Sequence, residues 1–179
     1  MDRPALLALV AAVAGTFMFA GCGHLEKPGT SHHPAPLPLL VRDRLSLARE
    51  VAWTKFHSGT PVPDPAREAV VLDEFVDKAT SHGVDAGYAR RFFLAQLEAS
   101  RAVQTELLEN WGADTAARPG HPPRDLRSDL RPRLDRITAQ LAASLSAGDR
   151  PSLAELTTDA LREAGFSPRV VAMAVAPLR

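Results

Sequence analysis

The chain has 179 residues, a length that fits one domain. Its 21 basic and 21 acidic residues balance, which argues against the broad positive footprint of a nucleic-acid-binding protein. Hydrophobic residues make up 45% of the chain. With few aromatics, plentiful Ala and Leu and few β-branched runs, that composition favours an all-α protein with a sizeable core.

The first segment reads as targeting sequence. Arg3 gives a short basic start, and Ala5 to Ala20 is an apolar stretch of 16 residues. That suits a secretory segment and is short for a membrane-spanning helix. It ends in Phe19-Ala20-Gly21-Cys22, which resembles a bacterial lipobox, although Leu is usual where Phe19 stands. The expectation is export with lipidation at Cys22. Ordinary cleavage nearby is the alternative. Cys22 is the only cysteine, so no intrachain disulfide can form. Residues 23–38, with four prolines and two glycines, read as a tether. His32 and His33 are solvated tether residues on this reading, since no third metal ligand sits nearby. Residues 39–179 form the domain.

The domain pattern is helical throughout, with about six helices and a long central one. Leu40, Leu45, Ala48, Val51, Ala52 and Phe56 mark a buried stripe on a first helix from Leu39 to about Ser58-Gly59. Prolines 61, 63 and 65 make a turn. Asp64 then Pro65 opens a second helix to His82, with Val70, Val71, Leu72, Phe75 and Val76 as its apolar residues and Gly83 as its stop. Asp85 caps a third helix, Ala86 to Trp111, about 39 Å long. A loop, Gly112 to Arg124, precedes a fourth helix from Asp125 to about Ser146. Pro132 lies inside it, so the regular helix starts there with Arg131 at its entrance. A fifth helix runs from Pro151 to Ala164. Ser167-Pro168 opens a last short one carrying Val170, Val171, Ala174 and Val175.

Several polar residues interrupt these core patterns. Arg44 and Lys55 are eleven residues apart, about three turns, and so share one face about 16 Å apart along the axis. Ser100 and Gln104 are one turn apart on the third helix. Asp64, Arg67 and Glu68 sit at the start of the second. The carboxylates suit the positive end of that helix and Arg67 does not. Singly, each residue has a plain alternative. Lys and Arg are usually solvated, Ser100 is small enough to pack between helices, and Glu68 fits a surface ion pair. Together, cations and an amide aimed into an apolar bundle suit a small polyanion.

The ordered set resembles the all-α chorismate mutases, above all their secreted subclass. There, Arg is followed eleven residues later by Lys, then by a turn with Asp and by Arg-Glu. A later helix carries Ser or Thr and, one turn on, Gln or Glu. Here those residues are Arg44, Lys55, Asp64, Arg67, Glu68, Ser100 and Gln104. The texts FFLAQLEASRAVQ and LRPRLDRI are also similar to that subclass, and the resemblance covers residues 40–145 best. It implies a further cation from the same chain. Arg131 is the candidate, with Arg127 and Arg133 as competitors. Some secreted members carry a disulfide near the C-terminus, which this chain cannot form.

The resemblance implies a Claisen rearrangement of chorismate to prephenate, needing no metal or cofactor. Arg44 and Arg131 would clamp the carboxylates, with Ser100 adding a hydroxyl. Arg67 would set charge at the ring end. Glu68, and the backbone near Asp64, would accept from the ring hydroxyl. Lys55 and Gln104 would meet charge on the ether oxygen. A homodimer is implied by the resemblance alone. Two alternatives stay open: an isochorismate-pyruvate lyase, which resembles the same fold, and a non-catalytic helical lipoprotein that binds a small anion. On either reading no nucleic acid is involved, and membrane contact comes only through the lipid.

Overall fold

Six α-helices form among the residues that the computed structural model describes, 36–145 and 150–179. They are α1 (Leu37–Ser58), α2 (Pro65–Ser81), α3 (Ala86–Ala113), α4 (Arg131–Ser144), α5 (Arg150–Glu163) and α6 (Pro168–Val175). No strand occurs among the described residues. Cys22, His32 and His33 lie outside them, as does the expected end of the fourth helix at Ser146.

Local chemistry sets most of the boundaries. Asp64, Asp85 and Ser167 each accept a hydrogen bond from a main-chain N–H in the first turn of α2, α3 and α6. Each thereby satisfies a donor that has no partner inside the helix. Gly59 and Gly83 adopt positive φ, 65° and 81°, where the chain leaves α1 and α2. The α1 helix begins at Leu37, two residues ahead of the expected start. Pro36 is its cap and a second proline, Pro38, fits the first turn, where a missing N–H costs nothing. At the other end of the domain α3 runs on through Gly112 to Ala113, because Asp114 N–H still reaches the Asn110 carbonyl at 2.8 Å.

The entry to α4 is a single wide turn, Leu126–Leu130. Asp125 caps it, accepting from the N–H groups of Arg127 and Ser128. Leu130 N–H bonds the Asp125 carbonyl and Arg131 N–H the Leu126 carbonyl, a five-residue spacing. Pro132 has no N–H, and its ring would crowd the carbonyl four residues back. The wider turn ahead of it accommodates both. Regular α-helix therefore begins at Arg131.

The long α3 packs against α1, α2 and α6 and forms the spine. Phe75, Phe92 and Phe93 stack at its centre, with Phe75 and Phe93 rings 4.3 Å apart. Leu45, Leu141, Leu161, Val170 and Val175 surround them, all fully buried. Val70 is not part of this core. It is 49% exposed, because α2 turns Val71 and Leu72 inward instead. A second apolar patch, Leu47, Val51 and Leu130, seats the wide turn on α1. A third joins Trp53 to Trp111, and Trp53 Nε1–H donates to the His121 carbonyl at 2.8 Å, pinning the loop after α3.

Candidate active site

Four helices converge on one cleft. It encloses about 710 Å³, its open mouth included. All eight residues singled out for a ligand line it: Arg44 and Lys55 from α1, Asp64 at the cap of α2, Arg67 and Glu68 in its first turn, Ser100 and Gln104 from α3, and Arg131 at the start of α4. The two competitors do not reach it. Arg127 is exposed on the wide turn, and Arg133 faces an outer depression with Asp129 3.9 Å away. Each position follows from its helix. One face of α1 carries both Arg44 and Lys55. Ser100 and Gln104 share a face of α3, and the proline-rich turn brings the N-terminus of α2 across them.

Arg44 is buried and 5% exposed. Its Nη1 donates to the Gln96 carbonyl at 3.3 Å, and its Nε reaches Thr138 Oγ1 at 3.5 Å. The guanidinium also lies 4.9 Å from the centre of the Phe93 ring. Burial pulls its pKa down to about 10, partly offset by the charges of Glu68 and Asp135. Arg44 remains a cation at neutral pH. Lys55 donates from Nζ to the Val62 carbonyl. Burial lowers its pKa as well, opposed by Asp64 and Glu68 and assisted by Arg131.

The other cations are paired. Arg131 lies 3.4 Å from Asp64, Arg67 lies 2.7 Å from Asp135, and Arg101 meets Glu68. Asp64 thus serves twice, through Oδ1 as the cap of α2 and through Oδ2 toward Arg131. Five cations against three carboxylates leave the cleft with two net positive charges. The unmatched pair is Arg44 and Lys55, the two buried ones. Gln104 is buried too, and its Nε2 donates to the Ser100 carbonyl at 3.1 Å. The same Nε2 also reaches Ser100 Oγ at a longer 3.4 Å. Its Oε1 has no partner among the described residues.

Sequence reasoning missed Arg101, Asp135 and Thr138, which also line the cleft. Asp135 and Thr138 follow Arg131 at the four- and seven-residue spacings of one helical face. That spacing was the available signal. The walls between the charges are apolar, among them Val51, Leu97 and Leu134. No cluster of His, Cys, Asp or Glu suited to a metal occurs among the described residues. The net positive charge of the cleft, with two buried cations and a buried amide, suits a compact dianion.

Comparison with known proteins agrees with this geometry. Residues 38–105 match the family model described as chorismate mutase type II. A secreted chorismate mutase of Mycolicibacterium smegmatis is 33% identical over 125 residues, 66% of this chain and 68% of that protein. A secreted chorismate mutase of Mycobacterium tuberculosis is 28% identical over 171 residues, 91% of this chain and 85% of that protein. The crystal structure of a chorismate mutase from Burkholderia thailandensis superposes with a TM-score of 0.70 at 34% identity, covering 80% of this chain and 96% of that one. With its four-helix cleft, its charge pattern and these relatives, the chain belongs to the type II chorismate mutase family.

Proposed function

We propose that the cleft converts chorismate to prephenate by electrostatic catalysis, without a covalent intermediate. The observation that carries this reading is the charge balance. Three arginines already face carboxylates, and the two remaining cations, Arg44 and Lys55, are buried in a net-positive cleft. Chorismate is a dicarboxylate with an enol ether and a ring hydroxyl. Arg44 and Arg131 clamp its carboxylates, since a guanidinium fork matches a carboxylate in two parallel hydrogen bonds. Ser100 adds a hydroxyl to that clamp, and Arg67 sets the charge at the ring end. Glu68, with the backbone at Asp64, accepts from the ring hydroxyl. Held at both ends, the substrate is confined to the compact chair in which the breaking C–O and forming C–C bonds align.

As the C–O bond breaks, negative charge gathers on the ether oxygen. Lys55 meets it, and so does Gln104 once its Nε2 gives up the long 3.4 Å contact to Ser100 Oγ. Such preorganised donors act where water is excluded and are worth about 3 kcal/mol each in the barrier. No proton need move. Because Arg131 comes from the same chain, the reading does not require a second copy, and a homodimer would be architectural.

Export fits the apolar segment at residues 5–20 and the relatives named as secreted. A lipid on Cys22 would then place the domain, from about residue 37, at a membrane surface on the tether that precedes it. The deciding experiment incubates protein beginning after Cys22 with chorismate and follows prephenate. Absence of prephenate, or salicylate and pyruvate from isochorismate at a higher rate, overturns the assignment. Labelling with radioactive palmitate tests the anchor, and sedimentation tests the dimer.

A further inference from the structure

Arg101 stands at the rim of the cleft, next in sequence to Ser100 and three residues before Gln104. Its guanidinium Nη1 meets Glu68 Oε2 at 2.5 Å, joining α3 to the first turn of α2. Of the three carboxylates in the cleft, Glu68 is the least exposed. Its side chain is 24% accessible, against 46% for Asp64 and 48% for Asp135. Its charge is felt by both buried cations, Arg44 and Lys55. A carboxylate so placed repels a dianion entering the cleft unless a cation offsets it. Arg101 also lines the shallow depression on the other side, with Val62, Thr105 and Arg169. It is therefore a partition between the cleft and the surface, with its charge turned to Glu68.

We infer that Arg101 is a positioning residue for chorismate binding. It fixes the Glu68 carboxylate as an acceptor for the ring hydroxyl and cancels its repulsion of the substrate. This rests on the role given to Glu68 above. A second oxygen, Oε1, is left to meet the hydroxyl while Oε2 is held by Arg101. The effect belongs to binding more than to the chemical step, because the ring hydroxyl does not change charge as the ether bond breaks.

The test is steady-state kinetics on Arg101→Ala, Arg101→Met and Arg101→Lys, on Glu68→Ala, and on the double variant Arg101→Ala with Glu68→Ala. Arg101→Ala is expected to raise KM about tenfold, the order for one lost charge-assisted hydrogen bond, with kcat changed less than about threefold. Arg101→Met keeps the aliphatic stem and should match Arg101→Ala, which separates lost charge from lost packing. Arg101→Lys should recover most of the KM. In the Glu68→Ala background, Arg101→Ala should change KM less than about twofold. A parental KM in Arg101→Met, or a tenfold rise that persists without Glu68, overturns the inference. An unchanged KM in Glu68→Ala removes the Glu68 role itself, and an impaired Glu68→Ala beside an unimpaired Arg101→Met removes only the role of Arg101.

Discussion

Arg44 is held by the main chain of Gln96: its Nη1 donates to the Gln96 carbonyl at 3.3 Å. The side chain of the same glutamine turns the other way, and its Nε2 donates to the Ala174 carbonyl at 2.9 Å. One residue of α3 thus positions a cation in the cleft and ties down the last turn of α6. The Ala174 carbonyl is among those that end a helix without a partner inside it, so Gln96 answers a real deficit. Site and scaffold meet at one fully buried amide.

Replacing Gln96 by Ala should therefore separate stability from chemistry. The change leaves a cavity and an unsatisfied buried carbonyl, together costing about 2–4 kcal/mol. Arg44 keeps its main-chain acceptor, so kcat/KM should fall less than about fivefold at a temperature where the variant is folded. Urea unfolding and chorismate turnover, measured side by side, check both halves. A parental midpoint would contradict the role of Gln96 as a tie to α6.

Arg44→Ala should act on binding. It removes a buried cation and, on the proposed role, leaves the substrate carboxylate facing Thr138 and the Gln96 carbonyl. Truncating one partner of a buried, hydrogen-bonded charge pair costs about 2–5 kcal/mol. KM should rise by at least about thirtyfold. Arg44→Lys should recover only part of this, because an ammonium cannot donate two parallel bonds. Titrating chorismate or a product analogue against the variants by calorimetry gives the binding loss directly.

Much of the fold was legible because its signals are local. Asp64, Asp85, Asp125 and Ser167 announce helix starts through side chains that cap their own first turns, and Gly59, Gly83 and Gly165 end helices in a conformation that favours glycine. The start of α1 was misplaced because Pro36 and Pro38 read as linker, although both fit the first turn of a helix. The exposure of Val70 was not legible, because apolar neighbours at 70, 71 and 72 cannot all face one side, and only the packing against α3 decides between them. The site divides the same way. Arg44 and Lys55, or Ser100 and Gln104, share faces that the helical period shows. Arg101 and Asp135 acquire meaning from partners 33 and 68 positions away, which no local pattern encodes.

The cation at the entrance of α4 can be identified by comparing three arginines. Arg131 lines the cleft, whereas Arg127 is exposed and Arg133 faces outward beside Asp129. Arg131→Ala should lower kcat/KM by about a hundredfold or more, while Arg127→Ala and Arg133→Ala should stay within about twofold. Equal losses in Arg131→Ala and Arg133→Ala would mean that the first turn of α4 sits differently when substrate is bound.

On the proposed roles, Lys55 sets the alkaline limit together with Arg44, whose pKa burial draws down to about 10. Burial lowers the Lys55 pKa below the ordinary 10.5, so its charge is lost at a lower pH than for a solvated lysine. Stability moves the other way. Between the folded and unfolded pKa values the unfolded chain binds more protons, so this group adds stability as pH rises there. Below the folded value both states are protonated and its contribution no longer changes with pH. Turnover should fall with rising pH before 10.5 while circular dichroism stays native. Simultaneous loss of both signals would assign the alkaline limb to unfolding.

Gln104 decides the behaviour at lower pH. An amide donates at any pH, so on the proposed role its Nε2 needs no titration to reach the ether oxygen. The parent enzyme should therefore show a flat kcat from pH 5 to 8. Gln104→Glu converts the donor into a group that donates only when protonated. Its kcat should be largest at the acid end and fall about tenfold per pH unit once the carboxyl ionises, because the ionised form repels the charge that develops on the oxygen. Gln104→Ala has no donor at all and should lose about a hundredfold or more in kcat at every pH, with KM less affected. Stopped assays across that range on all three proteins distinguish the cases. A flat profile in Gln104→Glu at parental rate would remove Gln104 from the transition state and leave Lys55 as the donor.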